Sequence, residues 1–152
     1  MSCVRRHVLL VSCSFIVCAS AVTAGAAASP QRVATAESLC TVAKGVALSL
    51  EKAPTTGSLT TVQGQALFKH NLGKILAAKA ALIGASPSSL KPDMRRAIAL
   101  FALFKTDLTK VNYNFAALET KPTMVHGLES AITKSGPAFH RLKTSFSKTC
   151  HY

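Results

Sequence analysis

Three features of this sequence predict an all-α fold: an up-down-up-down four-helix bundle with a broken fourth helix, preceded by a signal peptide. Apolar residues recur at three- and four-residue spacings in several separate stretches, the period of one helix face. Alternating strand patterns and Asn-Gly or Asp-Gly hairpin signals are absent. Proline and glycine at Pro54, Gly84, Pro87 and Gly136-Pro137 divide the periodic stretches into rods.

The stretch Pro92–Asn114 organises the rest. Met94, Ile98, Phe101, Phe104, Leu108 and Val111 make one stripe, and Leu100 and Leu103 widen it. A helix this apolar needs neighbours on more than one side. The other amphipathic stretches are the expected neighbours.

Taken in order, the first helix is predicted over Arg32–Ala53, with a stripe of Leu39, Ala43, Val46 and Leu50 and with Cys40 and Ala47 on its flank. Pro54 and the polar Thr55–Ser58 run end it. A second helix is predicted from Leu59 to Ile83, facing inward through Phe68, Leu72, Ile75, Leu76 and Ile83. Gly64 and Gly73 lower its propensity, so packing must hold it. Gly84 followed by Pro87 is its expected stop. Pro92 suits the first position of the third helix, where its missing N–H is no loss, and Asn112-Tyr113-Asn114 marks the end. Phe115–Leu118 is predicted as a short helical turn. Lys121-Pro122-Thr123 opens a fourth helix with Val125, Leu128 and Ile132 inward. Gly136-Pro137 is expected to break or kink it, because a proline there removes a hydrogen bond and clashes with the preceding turn. The stripe then resumes as Phe139, Leu142 and Phe146.

Residues 1–28 read as a signal peptide ahead of one helical domain, 29–152. Arg5 and Arg6 form its charged start, Val8–Val17 its apolar core, and Ala24-Gly25-Ala26 and Ala26-Ala27-Ala28 its small-residue cleavage motifs. The letters Leu10-Val11-Ser12-Cys13 match a lipoprotein box, but too few apolar residues precede them. An uncleaved leader would make Val8–Ala28 just long enough to anchor the chain in a bilayer. Cys3, Cys13 and Cys18 leave with the leader, and Cys40 and Cys150 remain for one disulfide in an oxidising compartment. In the up-down-up-down topology the first helix begins, and the last ends, at the same pole. That brings these two cysteines within reach of each other.

Of 18 Lys and Arg, Arg5 and Arg6 lie in the leader, which leaves 16 against 6 acids in the mature part. Such a surplus favours anionic partners. Lys134, Arg141 and Lys148 repeat every seven residues as an outward ridge. Arg32, Lys79, Lys91, Arg95, Arg96, Lys148 and His151 are expected to gather at the disulfide end. With no Trp in the chain, base stacking on single strands has little to work with, so no specific nucleic acid is expected.

Catalytic patterns are missing. The sequence has no G-x-S-x-G elbow and no glycine-rich phosphate loop. Asp107, at the edge of the third helix, is expected to pair with a neighbouring lysine. His126 and Glu129 share a helix face, but nothing repeats that pair as a bundle metal site requires. No cofactor is expected on this reading. The alternative is a carrier of haem or another apolar ligand, with His126 or Tyr113 as an axial ligand.

Cys40, the Pro92-Asp93-Met94 lead-in to an apolar helix, the Lys110–Phe115 stretch and the closing Lys148-Thr149-Cys150 together resemble a group of uncharacterised small secreted helical proteins of actinobacteria. The resemblance spans most of residues 32–152 and omits Gly136-Pro137 and His151-Tyr152. It implies a disulfide-tied helical bundle outside the cell and carries no activity with it.

These readings make the chain a secreted, non-enzymatic protein whose basic end contacts anionic envelope polymer or lipid headgroups. Intact-mass measurement of the exported chain checks the leader: the expected new N-terminus is Ala27 or Ser29. A mature chain that keeps Arg5 and Arg6 would contradict it.

Overall fold

In the computed structural model, residues 30–50 and 61–150 are described, with side chains from Ser38 onward in the first stretch. The signal segment 1–28, the Pro54–Ser58 loop and His151 lie outside the described residues, and Arg32 is described only as helix backbone. Among the described residues every regular element is an α-helix. They are α1 (Pro30–Ser49), α2 (Val62–Ala77), α3 (Lys79–Ala85), α4 (Lys91–Lys110), α5 (Phe115–Glu119) and α6 (Pro122–Thr149).

Local chemistry sets the ends. Ser49 Oγ donates to the Val46 carbonyl and the Leu50 N–H to Ala47, which ends α1 at Ser49; residues 51–53 of the predicted helix lie outside the described residues. Thr61 caps α2, its Oγ1 accepting from the Gly64 N–H at 3.0 Å. The single helix predicted from Leu59 to Ile83 is in fact two. At Ala78 the backbone turns to φ −82°, ψ 0°, and its N–H and carbonyl bond to Lys74 and Leu82. Backbone bonding therefore survives the step between α2 and α3. Gly84 does not stop it. The stop is Ser86, whose buried Oγ donates to the Leu82 carbonyl at 2.7 Å.

Helix α4 begins at Lys91, one residue ahead of Pro92, with Asp93 in its first turn, where a carboxylate offsets the positive pole. It ends as expected. Asn112 and Tyr113 both take positive φ, 51° and 59°, and the Tyr113 N–H reaches back to the Leu108 carbonyl at 2.7 Å. Asn114 then caps α5 through the Ala117 N–H.

The predicted break at Gly136-Pro137 is absent, and α6 runs continuously for 28 residues. A proline in a helix interior costs ~3 kcal/mol relative to alanine. Burial on both sides outweighs that cost. Leu128, Ile132 and Ser135 before the proline and Ala138 and Leu142 after it all lie on the core face. Pro137 itself is exposed, as is Thr133, so water can take the carbonyl that the proline leaves unbonded.

Two apolar clusters make the core. One gathers Leu72, Leu100, Phe101, Phe104, Leu108, Tyr113, Phe115, Leu118, Leu128 and Ile132. The other gathers Leu39, Leu82, Met94, Ala97, Ile98 and Leu142. Ile75, Leu76 and Phe139 touch both, which makes the interior continuous. Edge-to-face ring pairs, Phe68 with Phe115 and Phe101 with Phe139, fix how α2 and α6 meet the centre. Helix α4 packs most extensively on α6, and also on α2 and α3. Helix α1 packs chiefly on α3, burying Leu39 with Val42 and Val46 half-buried beside it. Cys40 and Cys150 stand at disulfide distance, with Cα atoms 5.5 Å apart.

Closing a loop across 110 residues stabilises by about 4–5 kcal/mol on the chain-entropy account. Urea denaturation of Cys40→Ser/Cys150→Ser is expected to reveal a loss of that order. Pro137→Ala restores a hydrogen bond on an exposed helix surface and is expected to raise stability by about 1–3 kcal/mol. An unchanged midpoint for either variant would contradict this account.

Candidate functional site

The charged residues sort by helix geometry. Met94, Ala97 and Ile98 share a cluster with Leu39 and Leu142, so the first turns of α4 lie at the pole of the Cys40–Cys150 pair. Lys91, Arg95 and Arg96 belong to those first turns, and Lys148 lies two residues before Cys150. Lys134 sits further along α6, beside Ile132 of the other cluster. Lys79 opens α3, and it, Arg95, Arg96, Lys134 and Lys148 are exposed while Lys91 is half-buried. Consecutive helical residues are ~100° apart around the axis, so Arg95 and Arg96 serve different flanks of α4.

Arg141 is where the sequence reading fell short. It was expected on a ridge with few acids nearby, yet its guanidinium forks onto Asp93, 48 residues away. Nε donates to Oδ2 at 2.8 Å and Nη2 to Oδ1 at 2.6 Å. Asp93 is buried and the Arg141 side chain is 53% exposed, so the pair seals the α4/α6 seam with its cation at the surface. The Arg141 hydrogen bond holds the Asp93 carboxyl below the ordinary carboxylate range. Burial pushes the other way, and the charges of Arg141 and Arg96 add to the lowering. Arg96 is thus close enough to act on the same carboxylate. The signal available in the sequence was Asp93 itself, an acid between Pro92 and Met94 that a core-facing first turn must partner.

The expected lysine partner for Asp107 is present. Lys110 Nζ lies 2.7 Å from Oδ1, one turn on, and the carboxylate is buried while the lysine is exposed. Both acids of α4 are thereby matched by cations.

The remaining candidates are dispersed. His126 is exposed on α6 and Glu129 is half-buried one turn on. Among the described residues no group of three His, Cys, Asp or Glu side chains is arranged to hold a metal ion. Tyr113 is buried in the core with the Lys69 ammonium 5.5 Å from its ring centre. A shallow open hollow on α2, lined by Ala66, Lys69, His70, Gly73 and Lys74, follows one face of a single helix. Among the described residues no helix is long and apolar enough to cross a membrane.

Comparison with protein-family models, with curated proteins and with solved structures finds no match to this chain.

The Asp93–Arg141 pair sets a pH dependence. A carboxyl held below its unfolded value binds its proton more readily in the unfolded chain, so stability falls as pH drops through and beneath the carboxylate range. Above that range the contribution is complete. Acid titrations followed by circular dichroism are expected to show wild type losing stability between about pH 5 and about pH 2, and Asp93→Asn losing less over the same interval. Parallel profiles would contradict the assignment.

Proposed function

We propose that this chain is an exported, non-enzymatic helical protein that holds anionic cell-envelope material, polymer or lipid headgroups, at its basic disulfide end. Its architecture on this reading is an up-down-up-down four-helix bundle in which α2 and α3 together serve as the second rod. The leader 1–28 is removed near Ala26 or Ala28; an uncleaved leader would instead anchor the same domain at a membrane surface.

One observation carries the reading. Asp93 and Asp107 are buried at the edges of α4, each bound to a cation, while Arg95, Lys134 and Lys148 stay exposed with no carboxylate partner among the described residues, and Arg96 stays exposed beside an aspartate already paired to Arg141. The two aspartates of α4 thus serve the fold, and exposed basic groups remain for the outside. A surplus arranged this way steers anions towards the surface over roughly a Debye length, ~8–10 Å at physiological salt. The disulfide supports an extracellular setting, since such bridges persist in oxidising compartments.

Retention of the mature chain on a phosphate-bearing polymer matrix tests the proposal. Strong retention is expected at about 0.05 M salt and nearly complete release at about 0.5 M. Binding that is absent, or equal at both salt concentrations, would sink it.

A further inference from the structure

We infer that the α4/α6 seam is a track for a single linear phosphate polymer, which starts at the basic disulfide end and runs along α6. This rests on the anionic-ligand reading above and specifies the shape of that ligand.

The continuity of α6 is the first argument. Because the helix crosses Gly136-Pro137 without interruption, Lys134, Arg141 and Lys148 stay on one side of it, seven residues apart. At ~1.5 Å per residue, neighbouring cations stand ~10 Å apart and the outer two ~21 Å. A break at Pro137 would have turned Lys134 out of this line.

The second argument is where the line runs. Arg141 is fixed against α4 by its fork on Asp93, which locates the ridge at the seam. Arg96 follows Asp93 by three residues on α4, one turn along, and so shares its flank of the helix. Arg141 Nη1 makes no bond to Asp93, so an immobilised guanidinium still offers donors outward. Lys134 and Lys148 continue the line in both directions, exposed and without a carboxylate partner among the described residues.

Charge and width complete the argument. Asp93 and Arg141 neutralise each other, so the surplus charge of the line comes from Arg96, Lys134 and Lys148. It has the width of one helix, ~10–12 Å, which suits one extended strand. None of Arg96, Lys134, Arg141 and Lys148 is aromatic, so the track reads phosphate without stacking on bases. A bilayer would present its charge as a plane and engage Lys91 and Arg95 on the other flank as readily as the ridge.

The experiment is binding of inorganic polyphosphate of graded chain length to the fluorescently labelled mature chain. Vesicles rich in phosphatidylglycerol and duplex DNA serve as competing arms. Affinity is expected to climb with polymer length until the chain spans ~21 Å, then to level off. Three cations, Arg96, Lys134 and Lys148, give a slope of log K against log salt near about −2, at ~0.7 per contact. R96Q/K134Q/K148Q is expected to lower affinity by at least ~tenfold and flatten that slope, R96K/K134R/K148R to keep both, and K44Q/K74Q, exposed lysines of α1 and α2, to stay within ~twofold of wild type. Length-independent binding, an equal loss in K44Q/K74Q, or stronger binding to vesicles or duplex overturns the track. If salt-sensitive retention on the matrix survives such a result, the broader anionic reading stands; if retention is lost as well, both fall.

Discussion

Covering α4 is the constraint on which this structure depends. Its buried positions run from Asp93 and Met94 through Leu100, Phe101 and Phe104 to Leu108, an arc too wide for one neighbouring helix. Helices α2, α3 and α6 each close part of it. Met94, Leu108, Leu118, Leu128 and Leu142 end almost wholly out of water, and truncating such side chains to alanine typically costs about 2–5 kcal/mol. That packing explains two irregularities. The helix steps at Ala78, and beyond it Leu82 packs in the cluster around Met94. Helix α6 carries Pro137 through its middle because the stripes on both sides of it have the same surface to cover.

Electrostatics follows from that packing. Asp93 and Asp107 lie on the margin of the apolar face, where a carboxylate leaves water and needs a partner. Arg141 reaches one from α6, and Lys110 reaches the other from the same helix. Each pair sets one acid against one basic residue at the surface, so the basic surplus set by composition is unchanged by pairing. The disulfide acts at the same pole. It ties α1, which buries Leu39 and little else among its described side chains, to the end of α6.

Much of this was legible in the residues, for identifiable reasons. Period-3.6 stripes belong to single helices, so α4, the Lys121-Pro122 start of α6 and the short α5 were readable directly. The turn at Asn112-Tyr113 was readable too, since asparagine tolerates the left-handed region. The pairing of Cys40 with Cys150 followed from helix order alone. The step at Ala78 was not readable, because alanine favours helix and no local signal marks the change. The fork between Arg141 and Asp93 was hidden for another reason: 48 residues separate its members, and only antiparallel packing of α4 on α6 brings them together.

The sequence by itself determined the helical class, the existence of each rod and the excess of basic charge, since these depend on composition and on spacing within one helix. Only the tertiary structure decided whether Pro137 breaks its helix and which cations keep their charge free. Those outcomes depend on what burial across several helices contributes against a lost hydrogen bond, and on which carboxylate arrives beside which arginine. No single stretch of chain contains that comparison.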